Sequence, residues 1–294
     1  MDVAVLVSPV AGRGTARAAA DGVVDELRRA GLTPTVLPAT TRADAEQQAG
    51  AAVAAGTGAV VAIGGDGAAH TALQAVAGTT TPLAVIPAGT GNDLARAVGV
   101  PQNPVEAARA AAADLLAGTA LTVDAGRTGG RWWATVLCCG FDSAVTDRAN
   151  RLRWPRGPRR YDVAILLELA RLRPVELTLV LDGRSQTLPV TLVAVGNTPW
   201  YGGGMKVCPG ADPADGLFDV TVIGPMSRRD MLGSRPRLTE GSHVSRPGVT
   251  VHRAACVELS APGVTTYADG EPVAPLPAVA ECIPGALRIV GTGR

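Results

Sequence analysis

The chain has 294 residues, enough for two ordinary domains. A hydrophobic share of 47% supports a sizeable core and excludes a disordered chain, and a formal net charge of +1 excludes a global field for polyanions. Aromatic residues at 3% argue against a base-stacking surface and so against nucleic acid as a partner.

Residues 3–7 form an apolar run that ends at Ser8-Pro9 and predicts a first strand. It lacks a basic n-region, so a signal peptide is not expected there. Residues 16–30 predict a helix with Val23, Val24 and Leu27 on one stripe and Gly31 as its stop. A short strand over 35–37 and an alanine-rich helix over 43–55 follow. Residues 58–63 predict a strand running into Gly64-Gly65-Asp66-Gly67 and a helix through Val76. Residues 82–86 predict another, ending in Pro87-Ala88-Gly89-Thr90-Gly91 and a short helix through Val98. Asn103 caps the next helix, with Pro104 at N1 and Glu106 at N3, and Gly118 closes it. Repeated strand–helix units imply a parallel sheet covered on both faces, a three-layer α/β domain over residues 1–123.

Past Val123-Asp124 the pattern changes. Residues 132–137, 175–181, 187–195, 217–223, 248–260 and 286–290 predict strands, with Asp182-Gly183 as hairpin-turn chemistry. Helical stretches at 143–152 and 161–172 interrupt them. Residues 124–294 are therefore expected to form a mainly antiparallel, β-sandwich-like domain, its last segment packing back on the first domain.

Absent residues narrow the chemistry. Lys206 is the sole lysine, so neither a Walker A loop nor a protein-kinase strand lysine exists. A dinucleotide fingerprint fails because Arg17 stands where the third glycine would be. The five cysteines have no metal-ligand spacing or disulfide framework, which suits reduced thiols in a cytosolic protein. No stretch approaches 18 uncharged apolar residues.

Two loops share one design. Gly64-Gly65-Asp66-Gly67 and Gly89-Thr90-Gly91-Asn92-Asp93 each follow a buried strand and open a helix. Glycines permit close backbone approach and positive φ, and a helix start aims N–H groups at an anion. Asp66 inside such a loop suggests Mg²⁺ or an ordered water between it and phosphates. The alternative is a pair of tight turns with Asp or Asn as N-cap.

These loops, Ile63-Gly64-Gly65-Asp66-Gly67 with Ile86-Pro87-Ala88-Gly89-Thr90-Gly91-Asn92-Asp93-Leu94-Ala95-Arg96, resemble the catalytic domain of diacylglycerol kinases. That domain shares a superfamily with sphingosine kinases, NAD kinases and 6-phosphofructokinases. The likeness continues through Gly140-Phe141-Asp142, Val195-Gly196-Asn197, Tyr201-Gly202-Gly203-Gly204-Met205, Asp215-Gly216-Leu217-Phe218-Asp219-Val220 and Ala268-Asp269-Gly270-Glu271. It implies an NAD kinase/diacylglycerol kinase-like fold using ATP and Mg²⁺. Carried over by position, it implies that Gly64, Gly65, Asp66, Gly67, Gly89, Thr90, Gly91, Asn92 and Asp93 cradle the nucleotide, with Ser8, Gly12 and Thr40 lining it. By its residues alone Asp269-Gly270 reads as a β-turn pair; by resemblance Asp269 matches the family's general base, with Glu271 beside it. Asp215 with the carbonyl of Leu217 resembles a structural Mg²⁺ site, and Asp66 is a further metal candidate.

Three positions depart from the family pattern. Ser8 replaces an asparagine, Ala68 a threonine and Thr71 a glutamate. Sphingosine kinases also lack that threonine, and His70 matches a histidine often found there in them.

The resemblance implies transfer of the γ-phosphoryl group of ATP to diacylglycerol, giving phosphatidic acid. A sphingosine-type lipid alcohol and a non-catalytic nucleotide- or lipid-binding regulator are the alternatives. The basic stretch Arg148, Arg151, Arg153, Trp154, Arg156, Arg159, Arg160, Tyr161 is expected either to meet anionic headgroups at the inner membrane face or to form a solvated helix–loop face. A homodimer is left open. Cys138-Cys139, His243 and His252 read as structural.

Overall fold

The computed structural model describes residues 1–7, 15–152, 154 and 159–293. The chain divides into two units. Unit 1 comprises Met1–Ala125, Pro213–Asp215 and Ile283–Arg294; unit 2 comprises Gly126–Asp212 and Gly216–Cys282.

Unit 1 alternates strand and helix: β1 (Asp2–Val7), α1 (Thr15–Arg29), β2 (Thr33–Val36), α2 (Arg42–Ala54), β3 (Ala59–Gly64), α3 (Asp66–Val76), β4 (Leu83–Pro87), α4 (Asp93–Ala97) and α5 (Pro104–Ala117). Strand β5 (Leu121–Thr128) follows, its last three residues lying in unit 2. The strands run parallel in the order β2-β1-β3-β4. Every residue of β3 and β4 is buried, because α1 with α5 and α2 with α3 cover the sheet. That double burial is why both strands read as unbroken apolar runs. Helix α5 starts and stops as its residues dictate. The Asn103 side chain accepts from the N–H groups of Val105 and Glu106 at 2.9 and 3.2 Å, and Gly118 ends the helix at φ 70°.

Unit 2 holds β6 (Arg131–Trp133), β7 (Val136–Gly140), α6 (Phe141–Arg151), α7 (Arg159–Ala170), β8 (Val175–Leu181), β9 (Arg184–Val190) and β10 (Leu192–Gly196). Then come β11 (Trp200–Tyr201), β12 (Met205–Lys206), β13 (Phe218–Ile223), α8 (Arg228–Leu232), α9 (Arg235–Glu240), β14 (Val249–Ala254), β15 (Cys256–Ser260), β16 (Thr265–Ala268), β17 (Glu271–Pro275) and β18 (Ala278–Val290). One antiparallel sheet has the order β14-β13-β10-β7-β16-β17. The other runs β18-β15-β8-β9, and β6 pairs with β5. Trp133, Leu177, Leu179, Val193, Phe218 and Leu259 fill the core from both sheets. The Trp133 and Phe218 rings stack at 4.9 Å between centroids, and Gly126 lies so close to the Trp133 ring that a Cβ would sit 2.1 Å from it. The sandwich expected from the alternation is therefore present.

Three predicted strands are each split in two. The stretch 132–137 breaks at Ala134 and Thr135 into β6 and β7. The stretch 187–195 breaks at Thr191, and 248–260 breaks at Ala255. At each break the chain leaves one sheet for the other. Polar bonds with residues distant in sequence fix the corners: Thr191 N–H donates to the Ile223 carbonyl at 2.8 Å, and Ala255 N–H donates to the Asp182 carboxylate at 3.1 Å. Helices α8 and α9 were not foreseen.

Candidate active site

The two glycine loops leave neighbouring strands at the same level. Gly64 stands in register with Pro87, and Ala88 N–H donates to the Gly64 carbonyl at 2.8 Å. From there the loops interlock. A Cβ on Gly89 would lie 2.4 Å from the Cα of Gly65, so these glycines let one backbone pack against the other. Gly65 itself is extended, at φ −96°, and the left-handed residue of the second loop is Asn92, at φ 56°. The expected positive φ thus falls on an asparagine, whose short side chain stabilises it locally. Asn92 Oδ1 accepts from Gly89 N–H and its Nδ2 donates to the Gly89 carbonyl, both at 3.1 Å.

Asp66 ties the loops together. Its Oδ1 accepts from the N–H groups of Asp93 at 2.7 Å and Leu94 at 3.4 Å, the start of α4. The capping role considered for this aspartate is therefore real, but it serves the helix of the neighbouring strand–helix unit. The start of α3 is different: its N-cap is Gly65, which offers no side chain to the first N–H groups. An eleven-residue helix whose N-cap is a glycine, at the carboxyl end of a parallel strand, suits an anion. Gly65, Asp66, Gly67, Gly89, Gly91 and Asn92 are half-buried, and Thr90 is exposed.

The family departures have local explanations. Ala68 is buried with Leu6, Ala45 and Ala49, so its methyl packs under α2. The Thr71 hydroxyl donates back to the Gly67 carbonyl at 2.8 Å within α3. Thr40 serves the start of α2, whose N-cap is Thr41. Its N–H donates to the Asp44 carboxylate at 2.9 Å, and this bond holds the Asp44 carboxyl below its ordinary range. Ser8 and Gly12 lie outside the described residues.

In unit 2, Asp269 and Gly270 form a two-residue hairpin turn between β16 and β17, at φ 53° and 83°. Glu271 closes the turn opposite Ala268. The Asp269 carboxylate accepts from Ala134 N–H at 3.1 Å, Thr135 N–H at 2.9 Å and the Thr135 hydroxyl. Asp182-Gly183 repeats the turn between β8 and β9, at φ 45° and 84°. There Asp182 Oδ1 accepts from the N–H groups of Ala255 and Cys256 at 3.1 and 2.9 Å. The β-turn read from Asp269-Gly270 is present, while Thr135, which bonds the Asp269 carboxylate, carries no local signal in the sequence.

Two further motifs meet at the start of α6, where the Tyr201 hydroxyl donates to Asp142. Burial pushes the Asp142 carboxyl up, opposed by that hydrogen bond. Burial also pushes the Cys139 and Cys208 thiols up to about 12, in keeping with their structural reading. His243 is buried, its Nε2 3.1 Å from the Val207 carbonyl, while His252 Nε2 lies 3.0 Å from the Thr250 hydroxyl.

Asp215 is exposed and belongs to unit 1, whereas Leu217 belongs to unit 2. Among the described residues no group of three or more His, Cys, Asp or Glu side chains is placed to hold a metal. In the basic stretch Arg148 pairs with Glu168, and Arg151 pairs with Asp147 at 3.0 Å. Arg160 lies over the Tyr161 ring at 5.4 Å, and Trp154 is 81% exposed. Arg153, Arg156 and the Arg159 side chain lie outside the described residues. No described helix is long and apolar enough to cross a membrane.

Residues 2–128 match the model of the diacylglycerol kinase catalytic domain, and residues 135–291 match that of the YegS C-terminal NAD kinase beta sandwich-like domain. The chain is 44% identical over 295 residues to a diacylglycerol kinase of Mycobacterium tuberculosis (strain CDC 1551 / Oshkosh), spanning 98% of this chain and 94% of the relative. It is 32% identical over 270 residues to a protein of Pseudomonas fluorescens (strain Pf-5) named "Probable lipid kinase YegS-like", at 90% and 88% coverage. A crystal structure of a diacylglycerol kinase from Bacillus anthracis str. Sterne superposes with a TM-score of 0.72 at 19% identity, covering 98% of this chain and 96% of that one. The chain belongs to the diacylglycerol kinase family of lipid kinases.

Proposed function

We propose that this lipid kinase transfers the γ-phosphoryl group of ATP to the free hydroxyl of diacylglycerol, giving phosphatidic acid and ADP. The observation that carries the reading is the interlocked pair of turns, with Gly65 against Gly89 and Asp66 capping α4. The 44% identical diacylglycerol kinase, matched along nearly the whole chain, supports the acceptor.

In this reading the N–H groups at the start of α3 and the turn held by Asn92 bind and orient the phosphates. No lysine is needed, because phosphoryl transfer requires positioning and charge neutralisation. Bound Mg²⁺ would neutralise charge on the phosphates. With few carboxylates nearby, phosphate and water oxygens would supply most of its ligands, as that ion prefers. Asp66 and Asp215 are its protein candidates. The hydroxyl oxygen of the lipid bonds to the γ-phosphorus as the bond to the ADP oxygen breaks. Its proton passes to the Asp269 carboxylate, a general-base contribution of roughly 10²–10⁴-fold. The exposed Trp154 supports contact of the basic stretch with lipid headgroups.

The test is transfer of radiolabel from γ-labelled ATP across a panel of diacylglycerol, monoacylglycerol, ceramide and sphingosine in vesicles. Labelling of diacylglycerol above the others is the expected result. Preferential labelling of sphingosine refutes the acceptor, and nucleotide binding without labelling of any lipid refutes the activity.

A further inference from the structure

Ala134 and Thr135 form the corner between β6 and β7, and all four of their backbone polar groups are engaged. The two N–H groups donate to Asp269 at 3.1 and 2.9 Å. The Ala134 carbonyl accepts from the Asn197 side-chain amide at 2.9 Å. The Thr135 carbonyl accepts from the N–H groups of Asn197 at 2.9 Å and Thr198 at 3.1 Å. Thr135 is 3% exposed, Asn197 1% and Thr198 0%, whereas Asp269 is half-buried. Asn197 therefore fixes the corner from its carbonyl side, and the corner grips Asp269 from its N–H side.

The Thr135 hydroxyl adds a bond that the other Asp-Gly turn lacks. Among the described residues, Asp182 holds its own corner through backbone N–H groups alone. Two backbone donors are enough to secure such a turn; a third, from a buried hydroxyl, restricts rotation of the carboxylate and fixes where its free lone pairs point. We propose that Thr135, on a corner held by Asn197, is a positioning residue for the Asp269 carboxylate during phosphoryl transfer. The inference rests on the proposed function, in which Asp269 takes the proton.

The experiment uses the full chain with ATP, Mg²⁺ and vesicles containing dioleoylglycerol. Thr135→Val keeps the side-chain shape and removes the hydroxyl. Loss of one charge-assisted bond is expected to lower kcat roughly tenfold or more, with KM for ATP unchanged. Thr135→Ser is expected to restore turnover. In an Asp269→Asn background, Thr135→Val is expected to change the residual rate by less than about twofold, since the hydroxyl acts only through that carboxylate. A Thr135→Val enzyme with wild-type kcat overturns the proposal, as does the same proportional loss with and without Asp269. If Asp269→Asn itself leaves turnover intact, the base assignment falls as well; if it abolishes turnover while Thr135→Val is silent, only the positioning role falls. Should the valine variant not fold, Thr135→Cys, a weaker donor of similar bulk, is judged by the same criteria.

Discussion

Replacing Gly89 with alanine probes the contact that sets the two glycine turns. The new Cβ would lie 2.4 Å from Gly65 Cα, 2.9 Å from Gly65 N and 3.1 Å from Asn92 Oδ1, where ordinary contact is 3.4–4 Å. The shortfall is about 1 Å against backbone atoms, so no change of rotamer relieves it. The turns must part by that amount. Doing so breaks the 2.7 Å bond from the Asp93 N–H to Asp66, which joins the two turns. Overpacking costs about 1–3 kcal/mol and a lost bond adds about 1, so a destabilisation of about 2–4 kcal/mol is expected. That corresponds to a Tm lower by roughly 5–15 °C. Gly31→Ala is the control: Gly31 sits at φ 89° with nothing within 4 Å of a Cβ, so only backbone strain of about 1–2 kcal/mol is added. Calorimetric titration with ATP and a thermal melt are run on both variants. Gly31→Ala should melt lower but bind ATP as the wild type does, whereas Gly89→Ala should lose more than about tenfold in ATP affinity through misplaced donors. Gly89→Ala binding ATP normally and melting no lower than Gly31→Ala would refute the interlock.

The two Asp-Gly turns allow a paired comparison. Asp182→Asn and Asp269→Asn each weaken a corner, but turnover should fall about 10²–10⁴-fold only in the second; equal turnover in both removes Asp269 from the base role. Asp142 predicts a pH effect. Burial holds its folded pKa above the ordinary carboxylate value, so the folded state binds the extra proton. The stability tied to that proton is fully present below about pH 4 and is lost as pH rises through the raised value. Asp142→Asn should flatten the dependence of Tm on pH above about 4, and an unchanged profile would show that another group controls it.

The first unit was largely legible because its signals are local. Asn103, Pro104, Glu106 and Gly118 mark both ends of α5 within a few residues, and β3 and β4 announce double burial by unbroken apolar runs. The second unit was legible in kind but not in its corners. Ala134 and Thr135 look like strand residues, and Asp269, Asn197 and Thr198, all distant in sequence, hold the turn there. The glycine loops were visible as a pair, yet how they fit together was hidden. Spacing shows that Gly65 and Gly89 are small, not that each leaves room for the other. Thr41 and Asp44 mark the start of α2 within four residues, and the Thr40 N–H joins that local arrangement.

Strand β18 begins beside β15 in unit 2 and ends with Ile289 and Val290 beside Leu83 and Ala84 of β4. A polypeptide cut after residue 128 would thus keep its glycine turns but leave β4 bare along one flank, an edge prone to aggregation. Hybrids between relatives meet the same obstacle. A single splice joins the amino-terminal half of one kinase to a closing strand evolved for another, so an exchange that preserves the sheet must carry Ile283–Arg294 with it.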